Sequence, residues 1–440
     1  MTHLPPAHAT NAEPRHAGTL RIGIFSESFH PVQNGVTTSV LTLMAELRAL
    51  RHHVVVFAPA HQQQRGTETN VLRFPSFVSV FNREYPLAFP FLPRLALAPY
   101  FNRLRLDIVH THTPFVLGLT GANLALSRGV PLVTTFHTLY TQYSHYFPLL
   151  PDAVTQSLLE HYLPWYYNRC AEIICPSEVA ARALREMGVE RPIAVIPTGV
   201  PLPAPDQIGE EARRCTRERL GIAPDTPLLL YAGRLAREKN LDWLLEVFAR
   251  IRAHVPNARL ALAGGGPSAE ELQGAAEALL PGDAVLFLGP TPRRQMDSLY
   301  AAADVFCFPS PSETQGLVIA EARAAGLPCV VVDAGGAPET VRDGEDGFRV
   351  PLEEQEAFAA RVVQILQDRK LRETLRANGL HNAQLYTPPV MAQKVVAVYE
   401  RVRQQALPPE EAPAAMLAPE PDWEAVGELA GHEPGVPHQK

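Results

Sequence analysis

The sequence predicts an α/β protein built as two Rossmann-like halves that face each other across a cleft. Three observations carry that expectation. Short apolar runs of strand length alternate with longer stretches of helical apolar spacing along most of the 440 residues. A Pro-rich segment, 201–206, interrupts the alternation near the middle of the chain. Loops bearing glycine or basic residues follow several of the strands, where open parallel sheets bind their ligands.

In chain order, residues 1–19 are polar with Pro and His and read as a disordered tail. The first domain is expected over 20–200. It opens with a strand, Leu20–Phe25, then the loop Ser26–Gly35, then a helix from Val36 to Leu50 with apolar spacing at Val36, Val40, Leu43, Leu47 and Leu50. The loop holds one glycine, so the dinucleotide-binding fingerprint is absent. Further strands are expected at His53–Ala58, Val71–Phe74, Asp107–His110, Pro131–Phe136, Ala171–Cys175 and Ile193–Ile196. The second domain, 207–388, repeats the pattern at Leu228–Ala232, Arg259–Ala263, Ala284–Leu288, Ala303–Phe308, Cys329–Val332 and Phe348–Val350. An amphipathic helix closes the ordered chain over 389–405. Residues 406–440 are Pro-rich and acidic and read as disordered.

A hydrophobic content of 46% indicates a globular chain long enough for two full-size domains. The net charge of −7 argues against a nucleic-acid partner. None of the five cysteines forms C-x-x-C, and three lie in strand-like runs, which reads as reduced, buried cysteine in a cytoplasmic protein. No signal peptide is apparent, and no run approaches the ~18 apolar residues of a membrane span.

The stretch Pro309–Glu321 (PSPSETQGLVIAE) follows an apolar run and turns into a helical pattern at Leu317. Glu313 falls in the loop and Glu321 just over one turn into the helix. The two can accept hydrogen bonds from separate parts of one hydroxyl-rich ligand. Taken alone, such a pair more often marks a capped helix with a solvated Glu. In the second half, Gly233–Asn240 (GRLAREKN) puts Arg234 and Lys239 between a strand and a helix for which Asn240 is the expected N-cap. A guanidinium and an ammonium there suit a diphosphate, and equally a surface salt-bridge loop. His110, His112 and His137 stand at strand ends. Without a carboxylate or thiolate among them they read as cleft-lining rather than metal-binding, with His137 the better functional candidate.

Taken together and in the family's order along the chain, E-x7-E, Gly-Arg-x4-Lys, Phe-His-Thr and Gly-Gly-x-Pro-Glu (335–339) resemble, over roughly 20–402, glycosyltransferase family 4, the retaining transferases of GT-B fold. The resemblance implies that Glu313 contacts the donor sugar and Glu321 the nucleotide ribose. It implies that Arg234 and Lys239 hold the diphosphate and that His137 lines the cleft. Gly233, Gly316 and Leu317 lie within those donor-binding motifs, Leu288 lies in the Phe-Leu-Gly turn bordering the base, and Asn34 and Gly35 occupy the turn near the donor phosphates. Many family members have two adjacent glycines there, which puts Asn34 in question. The implied reaction transfers a hexose, UDP-glucose being the expected donor, with no metal or other cofactor. The final helix crosses back to the first domain.

Thr134–Pro148 resembles, more narrowly, the diacylglycerol glucosyltransferase branch, which implies a lipid acceptor. Phe77–Leu106 is rich in aromatics and carries Arg83, Arg94, Arg103 and Arg105 against one acid, Glu84. That composition suits peripheral docking on an anionic, cytoplasmic membrane face, or packing of the aromatics between helices of the first domain. A soluble sugar acceptor, an epimerase or phosphorylase on the same fold, and a catalytically silent nucleotide-sugar binder are the other readings.

Overall fold

The computed structural model describes residues 18–61, 69–79, 82–88, 101–139, 152–280 and 282–406, with the backbone alone at 77–79, 82–88 and 152. Two parallel sheets dominate it. The first comprises β1 (Arg21–Phe25), β2 (His53–Pro59), β3 (Val71–Phe74), β6 (Ile108–Thr111), β7 (Leu132–Thr135), β8 (Glu172–Cys175) and β9 (Ile193–Val195), in the order β3-β2-β1-β6-β7-β8-β9. The second comprises β10 (Leu228–Ala232), β11 (Arg259–Ala263), β12 (Val285–Gly289), β13 (Val305–Phe308), β14 (Cys329–Val332) and β15 (Gly347–Val350), in the order β12-β11-β10-β13-β14-β15. Between β3 and β6 an antiparallel hairpin pairs β4 (Ser76–Ser79) with β5 (Asn82–Ala88).

The strands read as continuous apolar runs because helices cover both faces of each sheet. Every residue of β10, β13 and β14 is buried. On one face of the first sheet Phe25 stacks on Phe57 with centroids 4.1 Å apart. On the other, Ile22, Ile24 and Val56 meet the helix Gly35–Ala49 and the C-terminal helix Pro388–Gln405, which buries Met391, Val395, Val398, Tyr399 and Val402 there. Arg401 of that helix forms an ion pair with Glu172 on β8.

Strand order reverses between β1 and β6 in the first sheet and between β10 and β13 in the second. The loops beyond those four strands therefore open onto the crevice where such sheets bind ligands.

The segment joining the halves is partly helical. A proline at the first helical position starts a turn of helix at Pro205–Ile208, leaving 201–204 as the extended link. Cys170, Cys175, Cys307 and Cys329 are buried free thiols, whereas Cys215 is exposed on the polar helix Glu210–Arg219 and departs from the all-buried reading. Much of Phe77–Leu106, including the side chains of Arg83 and Arg94, lies outside the described residues, as do 1–17, 140–151 and 407–440. Within the described part, Phe101 and Leu106 are core residues, not surface contacts, while Arg103 and Arg105 are exposed.

Candidate active site

Two loops of the second domain are tied together at the carboxyl ends of β10 and β13. The first leaves β10 through Gly233, whose φ is +149°, and Gly264 after β11 lies so close that a Cβ there would sit 1.8 Å from the Gly233 carbonyl oxygen. The backbone then runs through Arg234, whose carbonyl accepts from the Tyr231 hydroxyl at 3.0 Å, to a 3-10 turn at Arg237–Lys239. Asn240 occupies the N-cap position of the helix Leu241–His254. It does not cap through its side chain, because the backbone there is left-handed (φ 56°) and the amide reaches the Pro309 carbonyl instead, at 3.4 Å. That contact helps draw the second loop in. Ser310 and Ser312 hydroxyls both donate to the Glu238 carbonyl, each at 3.3 Å.

The result is a direct pair: Lys239 Nζ lies 2.5 Å from Glu313 Oε1, with the side chains 15% and 21% exposed. The two residues proposed from separate motifs, 74 positions apart, share one place.

Gly316 follows with φ +76°, and a Cβ would sit 2.7 Å from the Ile319 side chain, so only glycine turns the chain into the helix Leu317–Ala324 at this point. On that helix Glu321 is 9% exposed. Its carboxylate accepts from the Tyr300 hydroxyl at 3.0 Å and faces Arg293 Nε at 3.3 Å. Burial raises its pKa against the opposing pull of Arg293 and Tyr300. Two anchored contacts leave lone pairs for a further hydroxyl.

The first domain supplies the facing wall. Asn34 caps the helix Gly35–Ala49 by accepting from the Thr37 N–H at 2.8 Å, and its amide donates to Ser28 Oγ at 2.7 Å, so its side chain is committed within its own domain. Gly35 faces Leu317 across the cleft; a Cβ on it would lie 3.6 Å from the leucine methyl. The Thr314 hydroxyl donates to the His137 carbonyl at 2.8 Å, and Gln315 exchanges two hydrogen bonds with the Thr198 backbone, at 3.0 and 3.1 Å. Behind His137, His112 Nδ1 lies 2.9 Å from His137 Nε2, while His110 bonds the Tyr399 and Thr135 hydroxyls at 2.6 and 2.7 Å. Burial holds all three imidazoles neutral, pulling His137 down to about 4 and His110 to about 3. Among the described residues no cluster of three or more His, Cys, Asp or Glu is arranged to hold a metal ion.

His137, Gly35, Lys239, Glu313, Gly316 and Leu317 thus gather around one loop. Arg234 and Gly233 stand at the β10 end of the same crevice, and Leu288 lies half-buried on β12 at the outer side. Glu321 lies one layer deeper. Sequence reasoning did not reach Thr314, Gln315, Tyr300 or Arg293, whose roles come from partners far away in the chain. Glu339 is legible in the sequence only as part of the Gly-Gly-x-Pro-Glu motif. Its carboxylate accepts from the N–H groups of Glu178 and Val179, at 2.7 and 2.8 Å, at the start of a first-domain helix.

The sequence divides between two family models that meet at the cleft. Residues 33–203 match the model described as Glycosyltransferase Family 4, and residues 213–381 that described as Glycosyl transferases group 1. A Streptococcus pneumoniae alpha-monoglucosyldiacylglycerol synthase is 32% identical over 315 residues, covering 71% of this chain and 70% of that protein.

The chain belongs to glycosyltransferase family 4.

An alpha-monoglucosyldiacylglycerol synthase of Acholeplasma laidlawii is 28% identical over 400 residues, or 86% of this family 4 chain and 96% of that one. Among solved structures, Anabaena HepE in complex with UDP and glucose superposes with a TM-score of 0.69 at 21% identity, over 87% of this chain and 100% of that one, which is a likeness of fold. The two parallel-sheet domains are those of the GT-B architecture, and the chain is a hexosyltransferase.

Proposed function

We propose that this glycosyltransferase moves glucose from UDP-glucose to a hydroxyl of diacylglycerol or a related membrane lipid, giving an α-linked glycolipid. The observation that carries the reading is the pairing of Lys239 with Glu313 on the loop pair that also holds Arg234. A site that bound no cation-seeking ligand would gain little from a half-buried ammonium held at the mouth of a sheet crevice. Arg234 and Lys239 would hold the diphosphate, Glu313 a sugar hydroxyl, Glu321 the ribose, and the Leu317 helix start, with Gly316, Gly233, Gly35 and Leu288, the surrounding surface. The alpha-monoglucosyldiacylglycerol synthases among its relatives favour the glucose and lipid assignments.

The chemistry follows from where charge develops. As the glycosidic bond breaks, negative charge grows on the diphosphate, and preplaced cations lower that barrier. With Arg234 and Lys239 in that place and no Asp-x-Asp in the sequence, the transfer proceeds without a metal. Retention takes the front-face course that the family resemblance suggests: the bond from the sugar carbon to the diphosphate oxygen breaks, that oxygen accepts the proton of the acceptor hydroxyl, and the acceptor oxygen bonds the sugar carbon on the same face. No described helix is long and apolar enough to cross a membrane, and the lipid would be met by peripheral docking at the cytoplasmic face.

A donor screen against a lipid extract, read by mass spectrometry, tests the proposal. The expected result is a hexosylated diacylglycerol with release of UDP. A hexosylated soluble sugar would replace the acceptor assignment, and an isomerised donor with no transfer would overturn it.

A further inference from the structure

His112 is 1% exposed, and its two ring nitrogens are unequal. Nδ1 lies 2.9 Å from His137 Nε2, whereas Nε2 is buried with no partner among the described residues. Its position is not adjustable. The His112 backbone N–H donates to Phe25 at the end of β1, and the His110 ring packs 4.2 Å away, itself pinned between Tyr399 and Thr135.

The unpartnered nitrogen decides the direction of the His–His bond. Both rings are neutral, so each carries one proton. If His137 donated from Nε2, the His112 proton would have to sit on its own Nε2, leaving a buried N–H with no acceptor. If His112 donates from Nδ1, its Nε2 is a bare lone pair. A buried orphan N–H is the rarer and costlier of the two. The second arrangement wins, and it forces the His137 proton onto Nδ1. That nitrogen belongs to a half-buried ring and is not among the buried unpaired atoms.

We propose that His112 is a positioning residue: donating its Nδ1–H to His137 Nε2, it holds His137 in the tautomer with the proton on Nδ1, so that His137 meets a donor-sugar oxygen as a hydrogen-bond donor. This rests on the proposed function, with His137 lining the cleft beside the Glu313–Leu317 donor loop. A neutral imidazole could otherwise present either a lone pair or a proton. Fixing it as a donor orders the sugar hydroxyl that accepts from it, which keeps its own proton for a carboxylate.

The test uses the full chain with 15N-labelled histidine. Two-bond 1H–15N correlations report which ring nitrogen is protonated, and loss of signals in His137→Gln assigns that ring. The wild type is expected to show His137 protonated on Nδ1. In His112→Asn, whose amide nitrogen stands near the former Nδ1, the same tautomer persists and kcat with UDP-glucose stays within about threefold. In His112→Phe the ring shape is kept but the donor is lost; the tautomer shifts or mixes, and kcat falls on the order of tenfold with the KM for acceptor unchanged. An Nε2-protonated His137 in the wild type overturns the proposal while the donor-site reading stands, and this arm needs no His112 variant to fold. Unchanged tautomer and kcat in His112→Phe overturn it as well. Full activity of His137→Ala, with an Nδ1-protonated wild type, removes the donor-site reading and with it the role given to His112.

Discussion

Glu313→Gln should separate two affinities that a simple binding-site residue would lower together. The Glu313 carboxylate is the partner of Lys239, at 2.5 Å and mostly out of solvent. A nucleoside diphosphate that takes Lys239 must displace it. Two unit charges at about 4 Å attract by roughly 4 kcal/mol at an effective dielectric constant of 20. Desolvation and side-chain ordering reduce the net worth of such a charge-assisted bond to about 1.5–3 kcal/mol. Gln keeps the shape and a weaker hydrogen bond while removing the charge that competes with the phosphates. UDP should therefore bind Glu313→Gln on the order of tenfold more tightly, the equivalent of about 1.4 kcal/mol. UDP-glucose should not share the gain, because its sugar loses its charged acceptor, and kcat/KM should fall. Calorimetric titration of both proteins with UDP and with UDP-glucose reads both arms, and the UDP gain should shrink as salt rises. Parallel weakening of UDP and UDP-glucose would refute the idea that Lys239 is held in reserve by Glu313.

Lys239→Ala and Arg234→Ala should each lower kcat on the order of 100-fold or more, and the double variant should lose less than the product, since both act on one leaving group; steady-state kinetics with circular dichroism as a folding control checks this. Activity should persist in excess EDTA, measured as UDP release, and a loss reversed by Mg²⁺ or Mn²⁺ would contradict metal-free transfer. Glu27 is half-buried, but its carboxylate accepts from the Leu117 N–H and has one buried, unpartnered oxygen; burial of the carboxylate raises its pKa from 4.5 to about 7. The folded state therefore binds this proton more tightly than the unfolded one, so the contribution is present below about pH 4.5 and is lost as pH rises through about 7. It is on the order of 3 kcal/mol; the difference in thermal midpoint between Glu27→Gln and the wild type should move in the variant's favour from pH 5 to pH 8. Arg103→Glu with Arg105→Glu, two exposed sites, should weaken flotation with anionic liposomes at low salt, and a wild type that stays in the soluble fraction would count against membrane docking.

The strands were legible because parallel sheets bury both faces. Runs such as Cys329–Val332 and Leu228–Ala232 have no polar phase to misread, and their observed bounds coincide with the expected ones. Elsewhere the ends moved by a residue or two, as at Val285–Gly289, because glycine can finish a strand as readily as begin a turn. The loop residues Arg234, Lys239 and Glu313 were visible as motifs, but not the bond between the last two. It depends on the left-handed backbone at Asn240 and the paired serine contacts to Glu238, neither of which has a local periodicity. The same limit hid Glu321's contacts with Tyr300 and Arg293. Phe101 falls on the packing side of the two readings left open for Phe77–Leu106: the ring is buried, with the Arg128 guanidinium over it at 5.3 Å.

The contacts across the cleft and those across the chain crossing differ in kind, and the difference bears on how a donor could reach the site. Around the Glu313–Leu317 loop the facing domains are joined by the Gln315–Thr198 pair, the Thr314–His137 bond and the two bonds from Glu339. Each contributes on the order of 1 kcal/mol, and water can replace each as it opens. The C-terminal helix is held to the first domain by apolar burial instead, through Met391, Val395, Val398 and Tyr399, at roughly 1.5–3 kcal/mol for each fully buried large side chain. The two chain crossings also meet directly. Val200 N–H donates to the Tyr386 carbonyl at 2.9 Å, and Gly199 packs so closely on Pro388 that a Cβ would lie 2.6 Å from its Cα. The cleft side is thus the weakly joined side and the crossing the strongly joined one. Among the described residues, separation of the domains at the cleft would break these exchangeable hydrogen bonds and leave the hydrophobic attachment of Pro388–Gln405 whole.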